Sequence, residues 1–545
     1  MSSSYDVVFV GSGINSLVGA ALLAQAGKRV AILERNGYLG GAIKTAEITK
    51  PGFVHEVFSS WHPLFVGSPA YEQLEPELTA RGVEYLNTEL PTATALADGS
   101  SAFLTASHDQ NIAEFARHAE ADGEAWRETV AAFMPNADLA FGMLSTELWS
   151  RDGLGLATKA LRRLGRGGLV EFTGELLSTC RDWASATFES HQAHALFAPW
   201  VLHAGLGPDA ASSGFMARVM AVAIELGGQP LPRGGGRVLV DALVGIVTDA
   251  GGVAEIETDV EEIVVSGGKA IGVRCTGDTV VRATEAVVAN VTPTQLYGRL
   301  LVGGVVPDSV QAEARRFRHG RGSMQIHLAL DEAPKWRGDD RLGETAIVHV
   351  TPGLNGVSRA VNEAERGLLP AEATIAVGQP VALDPARAPE GRSILWLQLQ
   401  ELPSRPTGDA ADELDVGDGT WTEELREAYA DRVQTRLASE ITNLNGAILE
   451  RVVFSPADHE AANINMVGGD IYAGSCALDQ NLLWRPRPGL PGHRTPVTNL
   501  FHIGASTHPG PGMGAGSGTL VAKQLLRDGV VDRAVGWLGE LRGKM

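Results

Sequence analysis

An α/β chain is predicted, with one Rossmann-like domain assembled from discontinuous segments and a second, mixed α+β domain beside it. Three observations carry the prediction. Residues 5–34 run strand, Gly-rich turn, helix, strand, acidic residue, the order that a dinucleotide fold requires. Residues 499–526 give a further strand, a Gly-rich loop and an apolar helix. Between them, short β-branched runs over 253–289 return to the same architecture after a long, mostly helical stretch.

At 545 residues the chain is too long for one ordinary core and comfortable for two. Its 45 Lys plus Arg against 65 Asp plus Glu leave a net charge of −20, which argues against a general nucleic-acid binder, since phosphate affinity needs a basic footprint. Hydrophobic residues at 44% and charged residues at 20% exclude a wholly disordered chain. Cys180, Cys275 and Cys476 lie far apart with no CxxC, so neither a disulfide framework nor a zinc knuckle is available and no metal is expected. After Met1-Ser2-Ser3-Ser4 there is no basic leader, and no apolar stretch reaches the length of a membrane span. The expected location is the cytoplasm, with peripheral membrane contact left open.

Tyr5 to Val10 reads as a short buried strand, with Val7, Val8, Phe9 and Val10 in one apolar run. Gly11-Ser12-Gly13-Ile14-Asn15-Ser16 follows, then a helix from Leu17 to Ala26, ended by Gly27. Arg29 to Leu33 forms the second strand, closed by Glu34. Gly11 permits the tight turn, and Gly13 lets backbone approach a pyrophosphate with no Cβ in the way. The helix offers unpaired N–H groups and the positive end of its dipole. Glu34 stands where a carboxylate accepts from the adenosine ribose hydroxyls, and Ser16 replaces the third glycine while staying small enough for helix–strand packing. Gly40-Gly41 suits a loop passing the flavin side of a longer cofactor; an ordinary turn is the alternative.

Asn499 to Ile503 reads as a strand leading into Gly504-Ala505-Ser506-Thr507-His508-Pro509-Gly510-Pro511-Gly512-Met513-Gly514-Ala515-Gly516-Ser517-Gly518, with a helix from Thr519 to Leu526. A loop so rich in Gly and Pro buries no core, so its backbone is the functional surface. The helix start near Met513-Gly514 aims its dipole at an electron-rich group such as a reduced isoalloxazine.

GSGINSLVGAALLAQAGKRVAILERNGYLGGA, PGFVHEVFSSWHPLF and NLFHIGASTHPGPGMGAGSG resemble the phytoene desaturase-like branch of FAD-dependent oxidoreductases. That branch includes carotenoid desaturases, carotenoid isomerases and pyridine nucleotide-disulfide oxidoreductase domain-containing proteins. PRGGGRVLVDALVGIVTDAGG, VEEIVVSGGKAIGV and ATEAVVANVTP are similar to their central return to the cofactor domain. The resemblance implies non-covalent FAD, an FAD-binding domain from 1–61, 232–310 and 485–545, a substrate domain from 62–231 and 311–484, and a lipophilic or unsaturated substrate. It places Gly11, Gly13, Asn15 and Ser16 at the pyrophosphate and Glu34 with Arg35 toward the ribose. Gly41 and Ala42 would border the flavin side, Val260 the adenine, and Gly504, Ala505, Met513 and Gly514 the ribityl chain and ring. Two departures stand out: no Asp accompanies Gly504-Ala505, and Ala42 sits where an Arg often contacts phosphate.

Residues 62–231 look mostly helical, and 311–484 mix strands with a long helix over Trp421–Asn443, whose Leu425, Tyr429, Val433, Leu437 and Ile441 share one face. Met324 to Leu330 alternates, with Met324, Ile326, Leu328 and Leu330 opposite Gln325 and His327. Pro403 to Thr420, polar and Gly-rich, reads as a mobile surface loop. Gly234-Gly235-Gly236 lacks the strand and acidic residue of a second nucleotide unit, so no dedicated NAD(P)H pocket is expected. Arg151 to Arg166 holds five basic residues and one acidic among leucines. Either a solvated helix face or contact with an anionic bilayer suits that pattern.

Flavin dehydrogenation needs little from side chains, because the cofactor takes the hydride. The candidates near the chemistry are His508, Gln325 and His327, and Trp61, His62, His203 and Tyr472 for the substrate pocket. The expected function is removal of hydride from a largely apolar or unsaturated small molecule, with oxygen or a quinone as electron acceptor. Alternatives are a redox-neutral double-bond isomerase, a flavin amine oxidase and a non-enzymatic FAD-stabilised scaffold. Against the amine oxidase, Gln325 occupies the strand position where those enzymes place a Lys.

Overall fold

In the computed structural model, which describes residues 4–490 and 492–527, two seven-stranded sheets lie side by side. The first takes the order 260–266, 269–275, 279–290, 4–10, 30–33, 253–255, and Leu500–Ile503 also pairs with Thr279–Asn290. Ser4–Val10, Val30–Leu33, Val253–Glu255, Leu500–Ile503 and the second half of Thr279–Asn290 run parallel. Val7 and Phe9 enter one core with the helices Ile14–Gln25 and Arg237–Asp249, whereas Val8 and Val10 enter the core on the opposite face. Burial on both faces explains why the run is unbroken rather than alternating.

The second sheet takes the order 448–454, 322–330, 393–402, 375–378, 347–350, 92–95, 101–104. Thr92–Ala95 and Ser101–Leu104 come from the stretch that reads as helical, because four-residue strands among long helices leave little periodic signal. One face packs Met324, Ile326 and Leu397 against the helix Glu423–Glu440, through its stripe Leu425, Tyr429, Val433 and Leu437. The other face meets the helices Cys180–Thr187, His191–Phe197 and Ser213–Gly227.

The polar stretch 403–420 departs from the mobile loop that its composition suggests. Gly408–Asp409 pairs with Leu368–Leu369, and the buried Asp409 carboxylate binds Arg432 at 2.6 Å and accepts from the amides of Glu413 and Leu414. Those bonds pull the Asp409 pKa down to about 2 against the opposing effect of burial. One charged anchor therefore fixes a segment that hydropathy alone would release.

A strap over residues 53–62 joins the two sheets. Val57 and Ser59 donate to the carbonyls of Lys44 and Ala42, while the Val57 and Phe58 carbonyls meet His327 Nε2 and Trp396 Nε1 at 3.1 Å each. Beside it, buried Arg387 is held between Glu56 and Asp384 at 3.2 and 3.1 Å. The amides of Gly234 and Gly236 donate to those same carboxylates. This Gly-rich turn is thus occupied in binding protein anions.

Candidate functional site

At the C-terminal edge of the parallel strands, Gly11 turns the chain at φ +87° and Gly13 caps the first helix with no side-chain capping bond. The Ser16 amide donates to the Gly13 carbonyl at 2.8 Å, which leaves the Ile14 and Asn15 amides of that first turn to a ligand. Glu34 is held against this loop: its Oε2 accepts from the Ser12 amide at 2.9 Å and hydroxyl at 2.7 Å, and its Oε1 from the Asn36 amide at 2.9 Å. The second glycine pair belongs to the same surface. The Gly40 amide donates to Ser12 Oγ at 3.1 Å, and a Cβ on Gly41 would stand 3.0 Å from Gly13 Cα.

The distant end of the chain closes over this loop. Asn15 Oδ1 accepts from Ser517 Oγ at 2.8 Å and from the Gly518 amide at 3.3 Å. Asn290, at the end of the central strand, donates to Ser16 Oγ at 3.0 Å, and a Cβ on Gly504 would reach 2.5 Å from its Oδ1. Met513, at φ +64°, packs against the N-terminal core, and Gly512 and Gly514 rest on Leu64. Ser12 and Asn290 had no signal in the sequence, because their roles depend on neighbours from other segments.

A long dinucleotide fits this cradle. Gly11 and Gly41 line it where a Cβ would crowd neighbouring backbone, Gly13 and Gly504 where it would crowd the Asn290 side chain, a helix N-terminus faces it, and the Glu34 carboxylate stands at one end. Lys44 supplies positive charge two residues beyond Ala42, with Nζ 4.3 Å above the Tyr38 ring. Arg35 is exposed just past Glu34. Val260 lies near the Glu34 end of the sheet, its carbonyl already accepting from Arg299 Nη1 at 3.0 Å.

Across the strap, a chain of amides and imidazoles crosses the second sheet. Gln398 Nε2 donates to Gln325 Oε1 at 3.3 Å, and Gln400 Nε2 donates to Gln398 Oε1 at 2.9 Å and stands 3.3 Å from His203 Nδ1. His203 Nε2 is 2.9 Å from His349 Nε2. Burial lowers the His203 pKa to about 4 and the His349 pKa well below its ordinary value. Trp200 stacks 4.6 Å from His203, and Trp61 stands edge-on to Trp396 at 5.5 Å in room left by Gly378. Tyr472 closes this wall, its hydroxyl donating to the Leu202 carbonyl at 2.6 Å.

The remaining sequence candidates point elsewhere. His327 bonds the Val57 carbonyl and packs on His55, with ring centroids 5.2 Å apart. His62 pairs with Tyr85 at 3.0 Å beside Gly236, its pKa lowered to about 3 by burial and then by Arg387. His508 lies in the Gly/Pro loop, but its imidazole sits among His493, Glu147 and Arg485. Gln325 and His327 thus share one face of their strand, whereas His508 has different neighbours. Alternation along ILWLQLQ could have flagged Gln398 and Gln400 as partners of Gln325.

The family model described as flavin containing amine oxidoreductase matches residues 17–398. Pyridine nucleotide-disulfide oxidoreductase domain-containing protein 2 of Rattus norvegicus is 26% identical, covering 97% of this chain and 94% of its own. The limonene dehydrogenase of Castellaniella defragrans matches through one of its subunits, which is 24% identical over 96% of this chain and 94% of its own. Phytoene desaturase of Fusarium fujikuroi is 23% identical over 98% and 91%. Among solved structures, cyclohexylamine oxidase from Brevibacterium oxydans superposes with a TM-score of 0.57 at 14% identity, covering 96% of this chain and 99% of that one. At that identity the likeness is one of fold.

Proposed function

This chain belongs to the flavin containing amine oxidoreductase family, and from that premise we propose that it is an FAD-dependent enzyme removing hydride from a largely apolar, unsaturated small molecule. One observation supports this substrate class above others. From Gly322–Leu330 across to Thr92–Ala95, the sheet face turned toward the strap presents Gln325, His327, Trp396, Gln398, Gln400 and His349 but no carboxylate, ammonium or guanidinium. Glu401 belongs to the opposite parity of its strand, where it accepts from the Thr374 and Gln400 amides. An amine is cationic near neutral pH, and burying it beside neutral groups alone costs several kcal/mol. An apolar molecule meets no such penalty. Relatives named for limonene dehydrogenation and phytoene desaturation agree with this preference.

Bound FAD supplies the hydride acceptor. The chain supplies the rest. The glycine cradle and Glu34 would hold the cofactor along its length, and Gln325 carries a buried Nε2 with no protein partner among the described residues. Trp61, Trp200 and Trp396 exclude water and orient an apolar chain. Neutral His203 and His349 add polarity without charge.

Anaerobic mixing of the purified yellow protein with limonene or a longer polyene is expected to bleach the flavin band, while putrescine and cyclohexylamine leave it unchanged. Bleaching by the amines alone would overturn the proposal. So would double-bond migration that requires a prereduced flavin, which marks an isomerase.

We further propose that the helical segment Arg151–Leu177, interrupted at Gly165 with φ +66°, delivers such substrates from an anionic bilayer. Leu154 and Val170 are 70% and 74% exposed, and Leu161 and Leu177 are also exposed, next to Trp149. Lys159 and Arg163 pair with Asp138, whereas Arg151, Arg162 and Arg166 make no ion pair among the described residues and would meet lipid phosphates. No helix among the described residues is long and apolar enough to cross a membrane. Flotation with phosphatidylglycerol vesicles is expected for the wild type and lost in a Leu154→Ser/Arg162→Glu/Arg166→Glu variant. Equal flotation of both would exclude this surface.

A further inference from the structure

Arg485 is 1% exposed, yet among the described residues no carboxylate pairs with it. Its Nε and Nη2 donate to the Ala505 carbonyl at 2.9 and 2.6 Å, Nη2 also to the Tyr472 carbonyl at 3.1 Å, and Nη1 to the Ser475 carbonyl at 3.3 Å. Cys476 Sγ, 3.8 Å from Nη1, completes the shell. Every partner is neutral. Arg387, equally buried, shows the contrast, with Glu56 and Asp384 on either side.

The acids in the neighbourhood are already occupied. Asp470 accepts from the amides of Gly320, Tyr472 and Gly474, and Glu147 pairs with His493. A buried guanidinium with only neutral partners carries a large desolvation cost unless an anion approaches. Its position indicates which anion. Ala505 begins the loop whose far side meets Asn290 and the Ser16 turn, and a Cβ on Gly510 would stand 3.6 Å from Arg485 Nε. The charge therefore lies directly behind the backbone assigned to the ribityl chain and ring.

We propose that Arg485 is a positioning residue for bound FAD that also supplies the counter-charge for its reduced form. Five donors in a fixed fork brace the carbonyls of 472, 475 and 505, and the unpaired charge favours the electron-rich ring over the oxidised one. The proposal rests on the placement of the 504–515 loop beside the flavin, and it is independent of the substrate class.

The test is a reductive titration of the holoenzyme against a reference dye, with no substrate present. In Arg485→Met, the reduced-to-oxidised flavin ratio at fixed poise is expected to fall about tenfold, equivalent to about 30 mV for a two-electron couple. Arg485→Lys, which keeps a charge but not the fork, is expected to stay near the wild-type ratio while releasing FAD more readily. A Met variant with bound FAD and the wild-type ratio would overturn the proposal. If the Met variant retains no FAD, the Lys variant decides. Between about pH 7 and about pH 10 its ratio should fall more steeply than the wild type's as the ammonium deprotonates, and parallel pH dependences would overturn the proposal equally.

Discussion

Gly518→Ala is expected to purify largely colourless and to unfold at markedly lower denaturant concentration than the parent. An added Cβ would lie 1.8 Å from the Asn15 carbonyl oxygen and 2.6 Å from its carbon, both backbone atoms that have no rotamer into which to retreat. Relief requires the C-terminal helical turns to lift away from the N-terminal loop. That movement breaks the Asn15 bonds to Ser517 and Gly518 and opens the cradle around Gly13. Overpacking ordinarily costs ~1–3 kcal/mol, and a clash against fixed backbone belongs at the upper end of that range. Affinity for FAD should fall at least about a hundredfold, about 2.7 kcal/mol of binding free energy, read as the ratio of flavin to protein absorbance and by fluorescence titration. Gly446→Ala, where an added Cβ meets nothing within 4 Å, is the matched control. Full flavin content in Gly518→Ala would mean that the two ends of the chain do not cooperate in holding the cofactor.

Acid is expected to unfold the protein between pH 6.5 and pH 4, earlier than carboxylate pairs alone would dictate. Burial lowers the pKa of His55, His203, His459, His502 and His508 to about 4 and that of His62 to about 3. Each is neutral when folded and takes up a proton when unfolded. Across this window the unfolded chain therefore binds more protons, and stability rises with pH. The contribution is complete above pH 6.5 and is lost as pH falls through the folded values. A depression of this size corresponds to roughly 3 kcal/mol per group, so two or three such groups rival a typical net stability of about 5–15 kcal/mol. Glu56 and Glu401, whose pKa values burial raises, act in the opposite sense and soften the slope. Urea midpoints at half-unit pH steps, with proton uptake measured at pH 5, would check this. A flat profile from pH 7 to 4.5 would show that these imidazoles titrate alike in the folded and unfolded chain.

Much of the proposed cofactor cradle was legible because each part is local. Gly11, Gly13 and Glu34 lie within one strand–helix–strand unit, and their spacing is fixed by backbone geometry over a few turns. Gly504 to Gly518 likewise announces itself through composition, since such a loop has no reason to exist except as a backbone surface. Asn290 was invisible, although it sits between the two loops, because an Asn at a strand end is an ordinary turn residue until its neighbours are known. His508 looked well placed by sequence proximity, yet its side chain leaves the loop toward Glu147 and His493, a direction set by φ, ψ and rotamer rather than by position in the chain.

From the sequence alone came the fold class and a dinucleotide-binding unit, consequences of short-range rules: period-two and helical burial, positive φ at glycine, orphan amides at a helix start; FAD and the meeting of the distant segments came from the resemblance that its motifs carry. Only the tertiary structure decided that Gln325 stands in line with Gln398, Gln400, His203 and His349, and that Arg485 is buried with no carboxylate partner among the described residues. The bonds Gln325–Gln398, His203–His349 and His203–Gln400 join residues 73 to 197 positions apart. They arise from strand order and from which side of each strand a helix covers, and no local pattern encodes either.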